Sequence, residues 1–148
     1  MLIDGVRSAD RATERVLAYY AAFNQRHYPA LLAMLCEDVI HDVNQGRREV
    51  GRAAFGEFLQ RMDACYREEI GEVVVMVTND GRRAAAEYVV SGQYLQQDQG
   101  LPAARGQSYR LAGGAFFELR DGLISRVSNY YNLQDWLAQI GPDRSSAT

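Results

Sequence analysis

Apolar residues recur at three and four positions along the first part of the chain, then at two. Val16, Tyr19, Tyr20 and Phe23 make one face of a first helix. After a frayed start, Ser8 or Asp10 can cap it, and it runs to about Asn24. Pro29 suits the first turn of a second, short helix carrying Leu31, Leu32, Met34 and Leu35 and ending near Cys36. Residues 37–44 read as a turn into a short strand, which Gln45-Gly46-Arg47-Arg48 turns back. Phe55, Phe58, Leu59, Met62 and Cys65 form the core-facing stripe of a third helix over about 52–66. The branched run of residues 69–78 then favours a strand, and 83–96, 108–120 and the stretch after Gly122 continue as long strands.

The turns fit this division. Asn79-Asp80-Gly81 and Asp121-Gly122 supply residues that tolerate positive φ and so predict hairpins. The Gly/Pro-containing segment 97–107 predicts a loop at a sheet end, a candidate lid or dimer contact. Asn132 predicts the cap of a short last helix, with Trp136, Leu137 and Ile140 on its apolar side and Gly141-Pro142 as its stop. Helices segregated before a strand meander argue an α+β fold, a single domain over 1–148 with a flexible tail from about 142. Three N-terminal helices pack on a curved, mostly antiparallel sheet in this reading, and the short C-terminal helix plugs a conical cavity.

Composition narrows the chemistry. Apolar residues make up 47% of the 148 and charged residues 24%, an ordinary balance for a globular protein with a real core. A net charge of −3, with scattered basic residues, argues against a nucleic-acid partner. All sixteen basic residues are Arg, so no Schiff-base or phosphate-loop Lys exists. Two histidines without metal-ligand spacing predict no metal site, and no nucleotide or serine-hydrolase motif points to a cofactor. Cys36 and Cys65 read as reduced packing residues of a cytoplasmic protein, and no apolar run is long enough for a signal peptide or a membrane span.

The order of elements, with LAYYAAFNQRHYPALLAMLCEDVIHD, the segment Arg48-Glu49-Val50-Gly51, GLPAARGQ and the closing NYYNLQDWLAQIG, resembles the nuclear transport factor 2-like (NTF2-like) superfamily. Within it the chain is similar to ketosteroid isomerase and the SnoaL-like polyketide cyclases. That resemblance implies a cone-shaped fold, a hydrophobic small-molecule ligand, a homodimer through the open sheet face, and no cofactor. Ketosteroid isomerase pairs a carboxylate base with a Tyr and a protonated Asp. Carried over, Tyr19 is the hydroxyl donor, five residues before Asn24, and Asp42 is the nearest match to the base. Asp42 falls one residue early relative to Asn24, and under the other strand phase His41 points inward instead. Ala115 occupies the position of the second, acidic donor, and Asn132 stands where SnoaL-like chains often carry an acid before the closing helix.

Asp42 and Tyr19 are therefore the expected catalytic pair. Asp42 would move a proton from a carbon beside a carbonyl, while Tyr19 donates to the developing oxyanion. The expected pocket wall comprises His41, Asn129, Tyr131, Glu87, Tyr88, Phe58, Phe117 and Trp136. Asn129 and Tyr131 share a strand face with Val127. Glu87 reads either as a second pocket carboxylate or as an outer-face residue, and Trp136 as the packing of the last helix over the cavity mouth. Isomerase or cyclase chemistry by acid–base proton transfer is one functional expectation. A non-catalytic small-molecule-binding or dimerisation module is the other. Epoxide opening needs two acids and a positioned Arg, and Arg110 alternates away from Leu111 and Gly113.

Overall fold

The computed structural model describes residues 2–142. Ten elements follow in the expected order: α1 (Leu2–Asn24), α2 (Tyr28–Ala33), β1 (Leu35–Asp42), β2 (Arg48–Val50), α3 (Arg52–Cys65), β3 (Tyr66–Val77), β4 (Arg83–Tyr94), β5 (Gln107–Arg120), β6 (Leu123–Tyr131) and α4 (Leu133–Ile140). The tail expected from about 142 lies, from 143 on, outside the described residues. The fold is α+β, with the helices packed on a curved, open six-stranded sheet of order β2-β1-β6-β5-β4-β3. Only the β1–β6 pairing is parallel.

Local chemistry sets the turns. Asp121 and Gly122 both take positive φ, 53° and 79°, and join β5 to β6 in a two-residue hairpin. Asn132 caps α4 by accepting a hydrogen bond from the Asp135 amide at 3.0 Å. Curvature comes from irregular pairings. The β3–β4 register slips between Gly71 and Val74, with Glu72 at a φ of 51°, and the β5–β6 register slips between Glu118 and Leu119. Such bulges bend the bulged strand and raise its twist, so the sheet wraps around α1 and α3.

Three boundaries differ from expectation. α1 starts before Ser8 and Asp10, which lie inside it. Its Ser8 carbonyl packs against Gly81 in the β3–β4 turn, where a Cβ would come within 2.4 Å of that oxygen. A tertiary contact thus supports the first turns, which no local capping signal reveals. Leu35 and Cys36 belong to β1 rather than to the second helix, because Ile124 donates its amide to the Met34 carbonyl and draws the chain into the sheet. β3 begins at Tyr66 with no loop after α3.

The core lies between the helices and the inner sheet face. Val16, Leu31, Leu35, Val39, Phe117, Ile124 and Val127 are fully buried there. Among the described residues, no helix is long and apolar enough to cross a membrane.

Candidate functional site

At the wide end of the cone the core opens into a cavity of about 600 Å³, large enough for a ligand of two to four fused rings. α1 contributes Tyr19 and Tyr20, α3 contributes Phe58 and Arg61, and α4 contributes Trp136. The sheet adds His41, Glu68, Tyr88, Leu111, Asn129 and Tyr131. Asp98, Gln99 and Leu101 of the loop 95–106 cover the mouth. Tyr94 donates to the Pro102 carbonyl at 2.7 Å, Tyr66 donates to Asp98 at 2.6 Å, and Gln107 donates to the Ile140 carbonyl at 2.9 Å. Tyr66 and Tyr94 thereby fasten the loop to β3 and β4, and Gln107 ties the start of β5 to α4.

Asp42 is a correction. β1 alternates with Val39 and His41 inward and Asp42 outward. The Asp42 carboxylate takes two hydrogen bonds from Arg48, at 2.7 and 3.1 Å, and one from the Ser128 hydroxyl at 2.6 Å. Arg48 is the main cause, and Ser128 a further one, that holds this carboxyl below the usual range. A carboxylate paired with Arg48 and Ser128 on the far side of the sheet is not placed to take a proton from a ligand in the cavity. The one-residue slip relative to Asn24 is not compensated: the β1–β6 register shifts between Leu35 and Ile40, and past that shift Val39 and His41 face inward.

His41 takes the inward position. Its ring is 2% exposed, stacks on Phe55 at 4.4 Å between centroids, and meets Phe58 edge-on at 4.6 Å. Burial pushes the imidazole down to about 4, with Arg61 acting in the same direction and Asp42 against it, so the ring is neutral at physiological pH. Nδ1 faces Glu49 Oε1 at 3.6 Å, and Nε2 lies 3.3 Å from the Asn129 amide nitrogen. Nδ1 and Glu49 Oε1 are both buried without a hydrogen-bond partner, and Nε2 accepts from the Asn129 amide when Nδ1 carries the proton.

Tyr19 lies on the inner wall, with its ring edge-on to Tyr20 at 5.1 Å and to Phe117 at 5.6 Å. Burial raises the hydroxyls of both Tyr19 and Tyr20, which keeps them protonated and able to donate. The Tyr20 hydroxyl is buried without a hydrogen-bond partner. Tyr88, Phe58, Asn129, Tyr131 and Trp136 line the cavity. Phe117 does not, since it lies fully buried behind Tyr19 and Tyr20 at the narrow end. Glu87 does not either. It stands exposed on the outer face, paired in register with Val74 and Gly114, because Ala86 and Tyr88 take the inward positions of β4. No group of three or more His, Cys, Asp or Glu side chains converges to hold a metal among the described residues.

The principal polar residue missing from the sequence-based list is Glu68. It alternates with Tyr66 and Ile70 on the inner face of β3, and that pattern, Tyr-x-Glu-x-Ile, is a charge placed on an apolar face. Tyr109 donates a short hydrogen bond to its Oε2. Burial raises this carboxyl, and the Tyr109 bond opposes the shift.

The family model described as SnoaL-like domain matches residues 16–127. Among solved structures, the chain is similar to a candidate polyketide cyclase of Xanthomonas campestris pv. campestris, at 57% identity over 90% of this chain and 99% of that one, with a TM-score of 0.88. A candidate polyketide cyclase of Pseudomonas putida shares 58% identity over 88% and 98% of the two chains, with a TM-score of 0.87. A third, from a Silicibacter species, shares 49% over 88% and 96%, with a TM-score of 0.86. No curated protein matches the chain.

Proposed function

The chain belongs to the SnoaL-like domain family, and from that premise we propose that it binds a hydrophobic, carbonyl-bearing small molecule in the cone cavity and moves a proton at the carbon beside that carbonyl. The observation that carries this reading is His41, a neutral imidazole on the wall of an aromatic cavity with Nε2 3.3 Å from the Asn129 amide nitrogen. His41 is the base in place of Asp42. With Nδ1 protonated, it takes the α-proton on Nε2 as the ligand displaces the long Asn129 contact, and the imidazolium so formed gains a direct interaction with Glu49 across the 3.6 Å gap at Nδ1. Tyr19, with Tyr20 beside it, donates to the oxygen on which negative charge develops. The enolate can then be reprotonated elsewhere, as in an isomerase, or attack a second carbonyl of the same chain, as in polyketide cyclisation. The similarity to candidate polyketide cyclases favours the second outcome.

The test uses 2-tetralone, a bicyclic ketone of suitable size. Trp136, the only tryptophan in the chain, lines the cavity, so its fluorescence reports binding. NMR in deuterated water follows exchange of the α-protons. Saturable binding with exchange well above the buffer rate is the expected result. Saturable binding without accelerated exchange would replace this reading with a non-catalytic binding module.

A homodimer through the outer sheet face is part of the same proposal. Phe116 and Tyr130 are 51% and 55% exposed there and touch edge-on, with Val74 and Met76 also exposed. Ion pairs of Asp42 with Arg48 and of Arg126 with Glu118 rim the patch. Sedimentation equilibrium should give a dimer for the native chain and a monomer for Phe116→Asp. A native monomer would remove the dimer.

A further inference from the structure

Three strands meet in one register at the wall facing Trp136. Glu68 of β3 pairs with Gly92 of β4, and Gly92 pairs with Tyr109 of β5, so their side-chain directions are the same. The middle residue has no side chain. A Cβ at Gly92 would lie 2.4 Å from Tyr109 Cζ and 2.5 Å from its hydroxyl oxygen. The Tyr109 ring therefore lies flat across the glycine gap, and only this gap lets its hydroxyl reach the Glu68 carboxyl. Trp136 packs edge-on against the same ring at 5.9 Å and holds it down. An aromatic laid over a glycine to hold a carboxyl at a cavity wall is a built arrangement, not a solvated charge.

We propose that Glu68 is the proton donor of this cavity, a carboxyl held in place by Tyr109 across Gly92, which in its protonated form hydrogen-bonds to and then protonates a ligand oxygen. The inference rests on the proton-transfer reading for its chemical step, but not for the hydrogen bond to the ligand. Oε2 accepts from Tyr109, which leaves Oε1 to carry the proton toward the cavity. In the step itself, the α-carbon's C–H bond breaks and its proton goes to His41 Nε2. The electron pair becomes the C=C bond of the enol, the carbonyl oxygen takes the proton of Glu68, and the carboxylate left behind is stabilised by the Tyr109 hydroxyl. The reverse step returns a solvent-exchanged hydron from His41 to carbon and the enol proton to Glu68, so protons and charge balance. A ligand fitting these two groups is uncharged and carries a ketone between an acidic C–H and the β3 wall.

Among the described residues, the surroundings of Glu68 contain no free cation that would ionise it. Tyr109, Tyr88 and Tyr131 face it from β5, β4 and β6, and burial raises all three. Tyr66 on its own strand is raised as well. From the α1–α2 corner, Arg26 is paired with Asp63 at 3.2 Å and Tyr28 donates to the same carboxylate at 3.0 Å. On the mouth side, Arg61 lies 3.8 Å from Asp98. Across the cavity His41 is neutral. Partly buried at the cavity wall among hydroxyls, the carboxyl is displaced upward by loss of solvent.

The experiment measures 2-tetralone binding by Trp136 fluorescence from pH 5 upward in native protein, Glu68→Gln and Tyr109→Phe. Native affinity should fall by about tenfold as Glu68 ionises, because the donor to the ketone is lost. Glu68→Gln should bind with no such pH dependence, since the amide donates at every pH. Tyr109→Phe removes the bond that favours the carboxylate and should move the fall to higher pH. Infrared difference spectra at neutral pH should show a protonated-carboxyl band that Glu68→Gln lacks. α-Proton exchange should fall by about 100-fold in Glu68→Gln while ketone binding at low pH persists. The proposal is overturned by a native pH dependence that survives in Glu68→Gln, by an unchanged carboxyl band, or by undiminished exchange in that variant. Failure of native protein to exchange any α-proton, with pH-dependent binding intact, would remove the proton-transfer reading and leave Glu68 as a ligand donor. No binding of the ketone at all would remove both.

Discussion

His41→Gln should slow α-proton exchange from 2-tetralone by about 100-fold or more, the usual contribution of a positioned general base. Gln is close to His in size, and its side-chain amide can still meet Asn129, so the cavity should survive while the base does not. Asp42→Asn is the paired control. Its carboxylate bonds Arg48 and Ser128 on the opposite face of β1, and exchange should stay within a factor of a few of native. Comparable losses in both variants would put the base back on Asp42. The pH dependence follows from the same burial. With the imidazole pushed down to about 4, the base remains neutral over the whole physiological range, and protonation of His41 lowers activity only below that point. Stability moves in the same direction. The unfolded chain binds a proton on His41 below about 6.5, whereas the folded chain resists until about 4. Its stabilising contribution is thus complete above about 6.5 and is lost progressively toward 4, an effect on the order of 3 kcal/mol. His41→Gln should flatten that acid limb in urea titrations.

The sequence made the order of the elements legible because each boundary that matters has local chemistry. Asp121-Gly122 dictates the β5–β6 hairpin, and Asn132 with Asp135 dictates the start of α4. Tyr19, Tyr88, Asn129 and Tyr131 were readable as wall residues because α1 and the later strands alternate regularly. Strand phase after an irregularity was not readable. The β1–β6 register shifts between Leu35 and Ile40, and that shift decides whether His41 or Asp42 faces inward. Glu68 was hidden for a related reason. β3 starts directly from α3 and changes phase at the Glu72 bulge, so that Glu68 and Ile70 face in before it and Val73 and Val75 after it. A strand read from residue 69 without the bulge has no reason to assign Glu68 to the cavity. Phe117 and Glu87 were misassigned through depth and facing, which depend on what packs above each strand rather than on the strand itself.

Phe117→Ala should destabilise the fold by about 3–5 kcal/mol, the largest effect expected of any single truncation here. Phe117 is fully buried on β5, in register with Ala84 and Val127, and its ring is met edge-on by Tyr19 at 5.6 Å and Tyr20 at 6.1 Å. The hole cannot close cheaply. Its sides are strands locked by hydrogen bonds, and its lid is a pair of rings that also form the cavity floor. Two edge-to-face contacts, each adding about 0.5–1.5 kcal/mol beyond area burial, are lost along with the transfer energy. The neighbouring Phe116 offers the discriminating contrast. It projects to the outer face, so Phe116→Ala should weaken association between copies while leaving the urea midpoint of the dissociated chain nearly unchanged. Equal losses of chain stability in the two variants would mean that the alternation along β5 is wrong. A second readout ties this residue to function. Tyr19 and Tyr20 rest on the Phe117 ring, and a misplacement of about 1 Å in a catalytic group is enough to lower a rate by about 100-fold. Phe117→Leu, which keeps most of the volume, should therefore bind 2-tetralone yet exchange its protons more slowly than native, with the loss in turnover exceeding the loss in affinity. The residue is outside the cavity, but through the two tyrosines it sets where the oxyanion donors stand.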